Sequence, residues 1–156
     1  MAYDKDYRSA LEKAMYWCAR EERSAAETRR KLIQLGLNSS DLEKAMEELM
    51  VGNYINEERF ARAYAQGHVR IKGWGPMKVR AGLFARGVEG TMISRVLAEV
   101  EDADWNEALR RTLEQAARKG YLKKDYASQG KLFRFAAGRG FDAEIIRSHL
   151  DEQGLE

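Results

Sequence analysis

Basic side chains recur at matching positions in three parts of this chain. The register is set by Gly36, Gly87 and Gly140, which follow apolar-periodic stretches at spacings of 51 and 53 residues. The cations that align in this register are Arg29 with Arg80, Arg30 with Arg134, and Lys78 with Lys131. A surface that only needs to be hydrated has no reason to keep one sign of charge in one place. The recurrence therefore indicates a surface that binds a partner through positive charge.

The charges are also sorted along the chain. Five cations and no acid lie between positions 70 and 87, whereas five acids and one cation, Arg95, lie between positions 89 and 104. The other two parts show the same order more weakly. Equivalent helices of a stacked array line the same side, so we predict one basic stripe and one acidic stripe. Part of the sorting has a structural explanation, because the helix dipole favours cations such as Arg86 and Arg139 in a last turn.

Nothing in the sequence predicts a catalytic site. The only histidines, His68 and His149, have no partners at metal-ligand spacing. The glycine-rich stretches at 73–75 and 138–140 lack the strand-then-helix setting of a phosphate-binding loop. Carboxylates are scattered over polar faces. We therefore expect a protein that is not an enzyme, with no catalytic residues, no bound metal and no cofactor.

Composition narrows the class of protein further. The 156 residues carry a formal net charge of +2, so total charge makes no case for nucleic acid or a membrane. The single cysteine, Cys18, cannot form an internal disulfide, and the first residues lack the apolar core of a signal peptide. No apolar run reaches the ~20 residues needed to cross a bilayer. We expect a cytoplasmic protein with no membrane partner, and a polar last helix favours a monomer.

The pattern of apolar residues predicts an all-α fold. The chain has one proline and no sustained apolar/polar alternation, while apolar residues recur at helical spacing. The clearest stripe, at i, i+3, i+4 and i+7, occurs twice, as Leu42, Ala45, Met46 and Leu49 and as Ile93, Val96, Leu97 and Val100. A period of about fifty residues is typical of repeat proteins. We predict an elongated tandem array of three three-helix repeats, at residues 1–54, 55–104 and 105–156.

Several helix ends can be predicted from the residues that flank them. Ser24 is the expected N-cap of one helix, and Ser39 or Ser40 that of the next. Gly36 is expected to end the helix between them in a left-handed conformation. Pro76 is expected at the first position of a helix, where its missing N–H is not needed. Further helices are predicted over about residues 9–21, 57–72, 105–119 and 126–137.

Four stretches of this chain are distinctive: residues 23–27 leading to Lys31-Leu32, 52–61 (Gly-Asn-Tyr-Ile-Asn-Glu-Glu-Arg-Phe-Ala), 73–76 (Gly-Trp-Gly-Pro) with Lys78, Leu83, Gly87 and Val88, and 131–135 with 139–141 and Ile146. These stretches resemble those of the RecX proteins, bacterial modulators of the RecA recombinase. The chain departs from the family at Glu57, where Asp is commoner, and at Ala26, where a basic residue is frequent. The resemblance implies an array of three-helix repeats that lies in the groove of the RecA filament on single-stranded DNA. It also implies inhibition of strand exchange, ATP hydrolysis and repressor co-cleavage.

Our hypothesis is that the basic second helix of each unit carries the contact with the filament. The residues expected to bind the partner are Arg29, Arg30, Lys31, Arg70, Lys72, Lys78, Arg80, Arg86, Lys131, Arg134 and Arg139. Two other functions remain open. The chain could bind DNA directly and weakly through phosphates, although no unit has a cluster suited to reading base edges. It could also be a helical scaffold for another protein, with the charges serving solubility.

Overall fold

Every regular element in the part of the chain that the structure describes is an α-helix. The computed structural model describes residues 2–152, and their side chains from residue 6 to residue 151. The helices are α1 (Ala2–Arg20), α2 (Ala25–Gln34), α3 (Ser39–Val51), α4 (Glu57–Arg70), α5 (Pro76–Ala85), α6 (Gly90–Glu99), α7 (Asp102–Arg118), α8 (Tyr126–Gly138) and α9 (Ala143–Glu152). The predicted all-α class is confirmed.

Most of the predicted helix ends are confirmed. The Ser24 side chain accepts a hydrogen bond from the Glu27 N–H, and Pro76 is the first residue of α5. Gly36 has a φ of 95°, in the left-handed region that glycine enters without a steric penalty. The prediction for α3 was wrong, because Asn38 caps it by accepting from the Asp41 N–H, and the two serines lie inside the first turn.

The other differences concern helix length. Helix α1 begins at Ala2 instead of near residue 9, and α4 ends at Arg70 instead of Lys72. Helix α7 begins at Asp102, three residues before the expected start and before the proposed boundary at 104/105. Acidic residues in its first turn explain the earlier start, since they interact favourably with the helix dipole. The division into units at 54/55 and 104/105 itself stays a prediction.

Between residues 6 and 151 the buried side chains form two separate hydrophobic clusters that hold the helices together. One consists of residues from α1 to α3 and Ile55, and the other consists of residues from α4 to α9. The two predicted stripes, on α3 and on α6, are buried in the first and the second cluster respectively. Helices α4 and α7 contact each other inside the second cluster, so the last six helices share one core while the first three have their own.

The three second helices, α2, α5 and α8, follow one another end to end. The backbone N–H groups of Gly75 and Met77, at the start of α5, donate to the carbonyls of Arg139 and Gly140, which follow α8, at 2.7 and 3.0 Å. The end of α5 meets the start of α2, where Arg86 Nε lies 3.4 Å from a Glu27 carboxylate oxygen. At 1.5 Å per residue the three helices have a combined length on the order of 50 Å.

The molecule is extended, as the array predicts. Its accessible surface is 9819 Å². A compact monomer of 17.9 kDa would have roughly 8,000 Å². The excess is typical of a chain whose units contact only their neighbours.

Candidate partner-binding surface

The predicted binding residues lie on α2, α5 and α8, on the turns next to these helices and, in the case of Arg70, at the end of α4. We call them the basic row. Its members are Arg29, Arg30, Lys31, Arg70, Lys72, Lys78, Arg80, Arg86, Lys131, Arg134 and Arg139. Because α8, α5 and α2 follow each other end to end, cations that are about fifty residues apart in the sequence lie on successive helices of one series. None of the eleven side chains is buried.

Three members of the basic row lie against a column of aromatic rings, Tyr64, His68 and Trp74, on α4 and the α4–α5 turn. The His68 ring stacks on Tyr64, with the ring centres 3.8 Å apart, and contacts Trp74 at 4.5 Å. Lys78 Nζ lies 4.4 Å from the centre of the Trp74 ring, and Arg86 Cζ lies 4.8 Å from that of Tyr64. Lys72 Nζ approaches Trp74 from further away, at 5.8 Å. Cations at such distances are attracted to the ring faces, which limits where these long side chains can point.

The ionisable groups of the column are neutral near pH 7. Burial lowers the pKa of His68, and the nearby charges of Lys72 and Arg86 lower it further, against the opposing effect of a backbone hydrogen bond. That bond, from the ring Nδ1 to the Tyr64 carbonyl at 2.8 Å, requires the proton on Nδ1, since a carbonyl can only accept. Burial likewise raises the pKa of the Tyr64 hydroxyl. The charge of this part of the surface therefore comes from the lysines and arginines alone.

Arg29 and Arg80 occupy matching positions, but among the described residues only Arg29 has a carboxylate partner. Arg29 forms an ion pair with Glu43, fourteen residues later on α3. The position fourteen residues after Arg80 is Ser94 on α6, and its hydroxyl lies 3.4 Å from both terminal nitrogens of Arg80. Within residues 6–151 no carboxylate forms an ion pair with Arg80. Its charge is therefore available to a partner, while that of Arg29 is shared with Glu43.

Two further members of the row connect parts of the fold. Arg70 Nε donates to Asp104 at 2.9 Å, from α4 to α7, and Arg86 pairs with Glu27 between α5 and α2. Lys31 and Arg139 each lie near an aromatic ring, Trp17 at 5.7 Å and Phe135 at 4.9 Å. The remaining members, Arg30, Lys131 and Arg134, are exposed on α2 and α8. The basic row thus contains residues that form ion pairs between helices and residues whose charges are exposed.

Two features of this surface were not predicted from the sequence. Arg23 lies 4.1 Å from the centre of the Trp17 ring, which makes it a cation beside the row that no alignment suggested. Ile33 and Phe84 are exposed, 55% and 74% of their maximum, although their apolar character favoured burial. Their shared exposure could have been predicted from the repeat, because the two positions are 51 residues apart and lie in the same register as Arg29 and Arg80.

Among the described side chains there is no group of three or more His, Cys, Asp or Glu arranged to hold a metal ion. A cavity of about 610 Å³ between α1 and α3 is lined by apolar side chains, among them Leu11 and Met15, together with Lys44, Glu47 and Glu48. None of the described helices combines the length and the apolar character that a membrane span requires.

The chain is similar to proteins of known family. Residues 56–97, which comprise nearly all of α4 to α6, match the family model described as RecX, second three-helix domain. The regulatory protein RecX of Prosthecochloris aestuarii is 32% identical over 150 residues, which cover 96% of each chain. The regulatory protein RecX of Legionella pneumophila is 33% identical over 147 residues, 92% of this chain and 93% of its own. The crystal structure of RecX from Lactobacillus salivarius superposes with a TM-score of 0.84 over 98% of this chain at 19% identity, which shows that the fold is the same.

Proposed function

The chain belongs to the RecX family, as its motifs predicted, and we propose that it regulates the RecA recombinase by binding the groove of the RecA filament on single-stranded DNA. The bound protein inhibits strand exchange, ATP hydrolysis and repressor co-cleavage. It does so as a cytoplasmic monomer, without a cofactor or a catalytic step.

The observation that carries this proposal is the end-to-end order of α8, α5 and α2. The three helices that carry most of the basic row have a combined length on the order of 50 Å. A filament presents the same site again at each subunit, so a long ligand with repeated contacts can reach more than one subunit at a time. Several weak contacts made together bind far more tightly than any one alone.

The aromatic column supports the same proposal. Long cationic side chains lose conformational freedom when they bind, and Lys78 and Arg86 are already restricted by the rings of Trp74 and Tyr64. Side chains that are ordered before binding lose less entropy on association. Arg80 adds an exposed charge that has no acidic partner among the described residues.

The first test reverses the charge of Arg80. Arg80→Glu should raise the concentration needed for half-inhibition of the RecA ATPase about tenfold, because it replaces an attraction with a repulsion at the centre of the row. The double variant Lys78→Glu/Arg80→Glu should abolish inhibition. Far-UV circular dichroism checks that both variants remain helical.

Arg95→Glu is the matched control, since it makes the same charge change on α6, in the acidic part of the same unit. It should inhibit as the unchanged protein does. Inhibition by Arg80→Glu that equals that of this control contradicts the assignment of the basic row.

Direct DNA binding is the second candidate, and the exposed cations Arg30, Lys131 and Arg134 favour it. Neutralising about five phosphates would make affinity fall roughly 10²–10³-fold between 50 and 200 mM salt. Titrating the protein against a bare strand and against a RecA-coated strand separates the candidates. Filament binding predicts a large gain in affinity with the coat, direct DNA binding predicts none, and a helical scaffold for another protein predicts binding to neither.

A further inference from the structure

Helix α5 is apolar on both its inner and its outer face. Its inner face buries Val79 and Leu83 completely. Its outer face, which we call the α5 face, consists of Met77, Arg80, Ala81, Phe84 and Ala85, all exposed. Their spacing of three and four residues puts them on one side of the helix. An apolar side of a helix is normally buried, yet none of the described residues covers this one.

The α5 face combines an apolar stripe with one available charge. Met77 and Phe84, 54% and 74% exposed, lie one turn before and one turn after Arg80. The Arg80 guanidinium contacts only the Ser94 hydroxyl among the described polar groups. The complementary surface is therefore apolar and carries a carboxylate opposite Arg80.

Part of this arrangement recurs on α2, which follows α5 in the series. Ile33 takes the position of Phe84 and is 55% exposed. The position of Arg80 is taken by Arg29, which is paired with Glu43, and the exposed Arg30 takes that of Ala81. Exposed apolar side chains are common singly but rarely repeat at one structural position. The repeated exposed apolar position indicates that both helices turn an apolar side chain to one partner.

We propose that the α5 face binds protein, with Phe84 entering an apolar pocket bordered by carboxylates. The proposal rests on the proposed function, and it identifies the protein coat of the filament, and not its DNA, as what this face contacts. A phosphate backbone would leave Met77, Ala81 and Phe84 facing charged oxygens. A protein pocket removes their apolar area from water, which is where the binding free energy of such side chains comes from.

The test substitutes Phe84 in the full-length chain and measures affinity for a RecA-coated strand and for a bare strand. Phe84→Ser should weaken binding to the coated strand about tenfold or more, since it removes a large apolar side chain from a buried contact. Binding to the bare strand should not change. Phe84→Leu should recover most of the affinity, because it restores apolar volume. Both variants should fold, since Phe84 is 74% exposed.

Val51→Ser is the matched control, because Val51 is 81% exposed at the end of α3, outside the basic row. It should bind both strands as the unchanged protein does. If the unchanged protein gains nothing from the coat, the proposed function fails. If it gains and Phe84→Ser binds the coated strand equally well, only the present inference fails. If Phe84→Ser loses affinity for both strands alike, the α5 face contacts nucleic acid and the inference is overturned.

Discussion

At the scale of single residues, function depends on what each cation of the basic row meets in the fold. Arg29 and Arg80 share a register, yet one pairs with Glu43 and the other contacts the hydroxyl of Ser94. An exposed ion pair contributes little to stability, but it does reduce the charge that a partner encounters. The side chain on the following helix, α3 or α6, therefore sets how much of the cation's charge a partner encounters, although the cation itself is an arginine in both cases.

This relation predicts the effect of exchanging the two acceptors. Ser94→Glu gives Arg80 the partner that Arg29 has, and should weaken inhibition of the RecA ATPase roughly 2- to 5-fold, the range that corresponds to an exposed ion pair. Glu43→Ser releases Arg29 and should strengthen inhibition by a similar factor. Inhibition constants for the two variants measure both effects.

The pair of variants controls for net charge, because one adds a negative charge and the other removes one. In the double variant Ser94→Glu/Glu43→Ser the net charge is that of the unchanged protein, and the two effects should largely cancel. Identical inhibition by both single variants would show that the charges of Arg29 and Arg80 do not reach the partner.

At the scale of helices, several ends are completed by residues from a neighbouring unit. The first N–H of α2, that of Ala25, donates to a Glu57 carboxylate oxygen on α4 at 2.9 Å. Arg111 on α7 donates to the carbonyls of Val69, Arg70 and Ile71 at the end of α4, at 2.7 to 3.3 Å. These contacts satisfy groups that a helix leaves without internal partners. They also fix how one group of helices sits on the next.

Glu57 provides a test of this capping between units. Glu57→Ala should lower the free energy of unfolding by about 1 kcal/mol, the usual effect of losing a side-chain cap. Glu57→Gln should cost less, because its amide oxygen can still accept the bond from Ala25. Urea denaturation followed by circular dichroism at 222 nm measures both. Equal losses for the two variants would mean that the charge of Glu57 at the start of α4 matters and the bond to Ala25 does not.

The helices could be predicted from the sequence. Their ends could be predicted best where a single residue type determines the position of the end. Pro76 and Gly36 were predicted correctly, since each is suited to a backbone conformation that few residues favour. Asn38, Ser39 and Ser40 can all cap a helix, so local pattern could not choose among them. The partners Glu43 and Ser94 depend on how one helix packs on the next, which a single helix does not encode. The sequence made no prediction for Phe84, because apolar type alone does not reveal which side of α5 is covered.

At the scale of the whole molecule, the period of about fifty residues suggests three equal units, but the described residues form two hydrophobic clusters. The cluster of α1 to α3 ends at Ile55 and the other begins at Phe60. Polar contacts join them, including Arg59 Nε to a Glu22 oxygen at 2.6 Å and Glu57 to the Ala25 N–H. The sequence period reports the common fold of the units and carries no information on how much apolar surface each shares with the next.

The two clusters predict that the first three helices unfold separately from the rest. Leu49 and Leu83 are both fully buried, one in each cluster, so the same substitution can be made in each. Leu49→Ala should lose roughly 2–5 kcal/mol of stability within α1 to α3 only. Leu83→Ala should lose a similar amount within α4 to α9, including α8 and α9, which share its core. Hydrogen exchange followed by mass spectrometry measures the loss helix by helix.

The expected result is faster exchange of the α1–α3 amides in Leu49→Ala, with α4–α9 as slow as in the unchanged protein. Faster exchange throughout the chain in both variants would show instead that the polar junction transmits unfolding, and that the molecule is one cooperative unit. The distinction bears on binding. If α1 to α3 unfold by themselves, the basic residues of α2 detach from the partner while those of α5 and α8 stay bound. In that case Leu49→Ala should shorten the residence time on the RecA filament without abolishing inhibition.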